Sequence, residues 1–132
     1  MSEGFPALEG LFNFAEQADK IRWKPYKEGV EIYRFYGDGI SGPTAALLKY
    51  KKGSEVPLHE HTGFEHILIL VGTQEDYQGK LGPGTFIINQ PGSQHRVTSE
   101  EGCIVLAIYE RPVRFLGAEK KFQTVCSKPI SR

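Results

Sequence analysis

Cysteine is nearly missing from this chain, with only Cys103 and Cys126 among 132 residues. Two such residues make no disulfide framework, and their spacing fits no zinc knuckle. Cys103 lies inside an apolar run and reads as a small buried hydrophobe; Cys126, in a polar tail, reads as a free thiol. Net charge is also missing, because sixteen Lys and Arg balance sixteen Asp and Glu. That balance removes the electrostatic pull toward nucleic acid or anionic membrane, and neither is expected as a partner. No apolar run approaches the roughly 20 residues that cross a bilayer. The opening Met1-Ser2-Glu3-Gly4 lacks the basic and apolar regions of a secretory signal, so the expected setting is cytoplasmic. Gly82-Pro83-Gly84-Thr85 is no phosphate loop, since it lacks the lysine and spacing of that motif. Helical periodicity is scarce as well. The best candidate is Phe12 to Lys20, where Phe14 and Ala18 stand four apart, and Trp23 to Pro25 soon ends it.

Short runs of strand-forming residues, punctuated by Gly and Pro, fill most of the chain. Val30 to Tyr36 is rich in β-branched and aromatic side chains and is followed by the Gly37-Asp38-Gly39 turn. Thr44 to Tyr50, Phe64 to Val71, Tyr77 to Leu81, Thr85 to Asn89 and Cys103 to Arg111 continue the series, with Glu75-Asp76 expected at a hairpin tip. The length suits one domain over residues 1–132, and many short strands at close spacing predict an all-β sandwich or barrel. The polar segment Lys120 to Arg132 loses the alternation and is expected to pack loosely or to cover an edge. Two strands, Ile67 to Val71 and Ile104 to Ile108, are apolar at both parities, so each must be covered on both faces. The barrel interior can cover one face. The other needs the N-terminal segment or a second subunit, and the second option predicts a homodimer.

The four histidines are His59, His61, His66 and His95. His59 and His61 stand at i and i+2 in an extended segment, so their imidazoles project from one side. Glu65 follows across the turn-prone Thr62-Gly63 and shares a strand face with Ile67, Ile69 and Val71, which places it toward the interior. His95 would arrive from the strand returning past the site. A carboxylate facing an apolar interior is costly unless paired or metal-bound, and imidazole plus carboxylate suits Zn, Fe, Mn, Ni or Co. On histidines alone, solvated loop residues with an exposed Glu65 are the simpler reading. The glycine spacing changes that.

Gly53 to Gly72 matches the pattern G-x5-H-x-H-x3-E-x6-G at every fixed position: Gly53, His59, His61, Glu65 and Gly72. A second pattern, G-x5-P-x-G-x2-H-x3-N, is met by Gly84, Gly92 and His95; its proline comes one residue late, as Pro91, and Ser99 replaces its asparagine. These are the two motifs of the cupins, and the chain resembles that superfamily over roughly residues 22–115, with a motif core at 53–99. Within it, Thr62 to Leu70, Asn89 to His95 and Glu100 to Cys103 resemble the cupin domain of ChrR-type anti-sigma factors. Those proteins also carry a helical zinc-binding domain that grips a sigma factor. These 132 residues hold no second His and Cys cluster. The resemblance therefore implies a single-domain jelly-roll barrel, or double-stranded β-helix, behind a short N-terminal segment. It also implies one divalent ion held by His59, His61, Glu65 and His95, and it implies nothing about sigma binding.

Neighbouring residues in a strand face opposite ways, so His66 is expected outside the barrel rather than as a fifth ligand. Tyr50, with Ala46 and Leu48, is expected to form wall; Trp23 and Tyr26 are read as packing residues. Three functions fit. A metalloenzyme on a small organic substrate comes first, because three imidazoles and a carboxylate leave two adjacent positions open on an octahedral ion; a dioxygenase is its leading chemistry. A non-catalytic sensor with four-coordinate zinc and a small effector is the alternative. A metal-free structural barrel ranks last, since the whole ligand set is in register.

Overall fold

A computed structural model describes residues 7–117 of the chain. The tail 120–132, with Cys126, lies outside the described residues. The order is a 3₁₀ helix (Leu11–Lys20), then β1 (Lys24–Lys27), β2 (Val30–Tyr36), β3 (Thr44–Tyr50), β4 (Ser54–Glu60) and β5 (Glu65–Gly72). It continues with β6 (Gln74–Asp76), β7 (Gly79–Leu81), β8 (Phe86–Asn89), β9 (Gln94–Ser99), β10 (Cys103–Tyr109) and β11 (Arg114–Phe115). The strands form two antiparallel sheets, ordered β1-β2-β3-β10-β5-β8 and β11-β4-β9-β6-β7. They face each other as a jelly-roll barrel, the all-β fold expected from the strand pattern. Among the described residues, no helix is long and apolar enough to cross a membrane.

The two fully apolar strands occupy the middle of the larger sheet, β10 between β3 and β5. Their inward side chains Ile67, Ile69, Val105 and Ala107 join Val30, Tyr50, Val56, Ile87 and Val97 in the barrel core. The outward side chains Leu70 and Ile104 pack with Leu47 against Phe14 and Ala18 of the 3₁₀ helix. The N-terminal segment thus supplies the cover for that part of the outer face. Trp23 joins the same outer cluster and donates its indole N–H to the Ala18 carbonyl at 3.0 Å, tying the end of the helix to the sheet.

Three local expectations are corrected. Glu75 and Asp76 are strand residues of β6, paired with Lys80 and Gly79, so the hairpin tip falls at Tyr77-Gln78. Lys24–Lys27 is a strand where none was expected, paired to β2 through a bulge. Val71 leaves the interior: a bulge in the β5–β10 ladder places Ile69 opposite Val105 but Val71 opposite Ile104, which turns Val71 onto the outer cluster. Just after it, Gly72 takes φ 77°, and a Cβ there would lie 2.0 Å from the Gly102 carbonyl oxygen. Only glycine fits so close a crossing of two chain segments.

Candidate metal centre

The site lies between the two sheets, with residues from both. His59 in β4 lies directly opposite His95 in β9. His61 follows just beyond β4, where its backbone N–H donates to the Ser93 carbonyl at 2.9 Å and its own carbonyl accepts from Gly92. Glu65 opens β5 in the other sheet, opposite Asn89 on one side and Tyr109 on the other. All four residues singled out from the sequence are buried, at 1% to 8% exposure. One ring nitrogen from each of His59, His61 and His95 lies within 4.8 Å of the others, and this trio could hold a metal ion. Glu65 stands outside that trio and meets it at His61, its Oε1 3.1 Å from His61 Nε2. His66 points away, its ring 6.5 Å from Phe64 and 5.6 Å from Phe86 on the outer face.

The other ring nitrogens decide the tautomers. His59 Nδ1 is 2.8 Å from the Pro57 carbonyl oxygen. His61 Nδ1 is 3.1 Å from the Ser93 carbonyl and 2.8 Å from Ser93 Oγ, a hydroxyl that donates onward to the Gln90 carbonyl. His95 Nδ1 is 2.9 Å from Asp76 Oδ2. Carbonyl and carboxylate oxygens only accept, so each Nδ1 carries a proton, and in the neutral ring Nε2 is the lone pair that can ligate. Burial, and then the neighbouring His95, bring the His59 imidazole down to about 4, which keeps it neutral and able to ligate.

His61 Nε2 is buried without a hydrogen-bond partner, although the Glu65 oxygen is in reach. Two lone pairs face each other there, an arrangement that needs positive charge between them. Burial alone would raise the Glu65 carboxyl. Positive charge at His61, through its hydrogen bond first, with that at His59 and His95 behind it, favours the carboxylate more strongly and holds the carboxyl below its ordinary range. Asn89 steadies it, donating from Nδ2 to Oε1 at 3.0 Å. Ligands about 2.1 Å from a metal sit about 3.0 Å apart along an octahedral edge and about 3.4 Å apart in a tetrahedron. The Glu65–His61 separation matches such an edge, and the donor set suits a divalent ion.

The centre borders a narrow chamber of about 40 Å³ lined by aliphatic side chains and by Tyr26, Tyr50 and Tyr109. Tyr50, with Ala46 and Leu48, is wall, as expected, whereas Tyr26 reaches the chamber from the unanticipated strand β1. Burial pushes the Tyr26 hydroxyl up to about 12 and those of Tyr50 and Tyr109 upward as well, so all three remain protonated donors. Asp76, Ser93 and Asn89 are functional neighbours that the sequence reading did not single out. Ser93 and Asn89 lie inside the Asn89-to-His95 stretch, but nothing local marks Asp76.

Comparison with known proteins points one way. The family described as the ChrR cupin-like domain matches residues 13–113. The anti-sigma-E factor ChrR of Cereibacter sphaeroides is 34% identical over 101 residues, covering 74% of this chain and 46% of that protein. The crystal structure of Rhodobacter sphaeroides SigE in complex with the anti-sigma ChrR aligns with a TM-score of 0.62 at 29% identity, over 70% of this chain and 50% of that one. The chain thus spans about half the length of these relatives. An acetylacetone dioxygenase from Acinetobacter johnsonii aligns with a TM-score of 0.69 over 99% of this chain and 85% of its own, but at 13% identity, a likeness of fold alone.

Proposed function

The chain belongs to the ChrR cupin-like family, and from that premise we propose that it binds one divalent metal ion through His59, His61, His95 and Glu65 and acts on a small organic molecule beside it. The observation that carries this reading is the bare Nε2 of His61 facing the Glu65 carboxylate at 3.1 Å, with all three Nδ1 atoms committed elsewhere. Zn, Fe, Mn and Ni all suit these donors. Bound there, the ion would supply Lewis acidity and a template for a chelating oxygen ligand, with dioxygen chemistry as the leading option if it is iron. The chain's own contribution is the enclosure and the hydroxyls. Aliphatic walls exclude water, and the protonated tyrosines donate hydrogen bonds to an oxygen of the bound molecule. The chamber is small beside the roughly 300–1,000 Å³ of drug-sized pockets, so it favours a compact substrate.

The alternative is a zinc-holding regulatory module that signals occupancy instead of turning substrate over. It is favoured by the 34% identity to an anti-sigma factor. A cytoplasmic setting, with neither nucleic acid nor membrane as partner, accompanies both readings. So does a homodimer. One row across the larger sheet, Tyr36–Ala45–Ile108–His66–Ile88, carries no formal charge and lies on the outer face beside the helix-covered cluster. Tyr36, Ile88 and Ile108 in it are 41% to 54% exposed. A neutral chain meets no net repulsion from its own copy there.

The test is elemental analysis of protein purified without chelator, with oxygen uptake measured on a panel of small chelating oxygen compounds. Near-stoichiometric iron, manganese or nickel with substrate-dependent uptake supports the enzyme. Stoichiometric zinc and no turnover supports the module. Failure to take up any divalent ion would remove both.

A further inference from the structure

We infer that Asp76 is a positioning residue for the centre, fixing the tautomer and ring plane of His95 so that its Nε2 faces the ion. The inference rests on the metal-binding reading of the site. Asp76 closes β6 on the sheet that carries His95, and its Oδ2 accepts from His95 Nδ1 at 2.9 Å. The two side chains are 1% and 3% exposed, so this contact is shielded from solvent and salt. The second oxygen, Oδ1, accepts from the Gln78 backbone N–H at 2.8 Å, which pins the carboxylate to the Tyr77-Gln78 turn.

The other two imidazoles are held differently. The Nδ1 partners of His59 and His61 are backbone carbonyls and a serine hydroxyl, all uncharged. An anionic acceptor on Nδ1–H raises the basicity of the far nitrogen, and such outer partners typically carry 10–100-fold in metal affinity. His95 is therefore the ligand whose donor strength depends on a carboxylate. Asp76 occupies no fixed position of either motif, falling between Gly72 and Gly84. A carboxylate that served only to cap the Gln78 turn would not need to be buried against an imidazole.

The test uses Asp76→Ala and Asp76→Asn in the full chain. Zinc and cobalt affinities are read by chelator competition, and the apo-state His95 tautomer by long-range ¹H–¹⁵N NMR. Asparagine keeps the shape and one acceptor oxygen, enough either to cap the turn or to accept from Nδ1–H, and removes the charge, so it covers the case in which the alanine variant fails to fold. Affinity for both ions should fall 10–100-fold in Asp76→Ala and in Asp76→Asn alike. His95 should be the Nδ1–H tautomer in the parent chain and lose that preference in Asp76→Ala. Unchanged affinity in both variants, or an unchanged tautomer in Asp76→Ala, overturns the role. A parent chain that binds neither ion sinks the metal reading instead, and the tautomer result then decides separately whether Asp76 sets the ring.

Discussion

The Cys103 thiol lies in the barrel core at 4% exposure, and burial pushes it up to about 11 from an ordinary 9.0. A raised folded pKa means the native state holds its proton more tightly than the unfolded chain. The contribution to stability is complete below about pH 9 and is lost as pH climbs through about 11. Two outcomes follow: a decline in unfolding free energy across that window, and negligible alkylation of Cys103 at pH 8 in folded protein, read by peptide mapping that separates it from Cys126. Rapid native-state labelling of Cys103 would contradict its placement. Glu65 offers a second residue-scale test. Glu65→Gln keeps the shape and removes the charge, and its amide can donate to the bare His61 Nε2. The apo protein should unfold at the same midpoint or a higher one, while zinc affinity drops by on the order of 100-fold or more. An unchanged affinity would mean that Glu65 faces the imidazoles without sharing an ion.

At the scale of elements, legibility followed periodicity. The runs at β2, β3, β5, β8 and β10 were readable because β-branched and aromatic residues cluster there between glycines. β1, Lys-Pro-Tyr-Lys, carries no such pattern; it is an edge strand defined by its pairing with β2. The β6–β7 hairpin was displaced because Glu75 and Asp76 look like turn residues, yet both side chains turn toward protein partners, Glu75 accepting from the Glu100 backbone and Asp76 from His95. The bulge that moves Val71 outward is a feature of the ladder with β10 and leaves no mark in the local sequence. The 3₁₀ helix was visible only as Phe14 and Ala18, and these two are its buried residues. Phe14 is fully buried against the outer sheet face. Phe14→Ala should cost about 3–5 kcal/mol in denaturant unfolding, with zinc affinity unaffected because the site lies on the opposite side of that sheet. A cost below about 1 kcal/mol would mean the helix is not the cover it forms here.

Across the whole molecule, the site was more legible than its surroundings. His59, His61, Glu65 and His95 could be singled out because they stand at the fixed positions of the two motifs that this chain shares with the cupins, and strand alternation put the first three on one side. Asp76 and the approach of Tyr26 to the chamber come from strands whose positions are set only by the closed barrel, so no local pattern announces them. The outer face shows the same division. Its apolar character was readable, and the helix covers one part of it. The open row from Tyr36 to Ile88 supports self-association, and Ile108→Glu should shift the chain from dimer to monomer in sedimentation analysis without loss of metal binding. A parent chain that stays monomeric at high concentration would exclude the dimer.

The central claim is that three imidazole nitrogens and one carboxylate oxygen share one ion. X-ray absorption fine structure on the chain loaded with one equivalent of zinc tests it most directly. The account predicts a first shell of three imidazoles and at least one oxygen at about 2.0–2.2 Å, with the multiple-scattering signature of histidine reduced in His59→Ala, His61→Ala and His95→Ala alike. A shell containing sulfur, or one with fewer than three imidazoles, would contradict it.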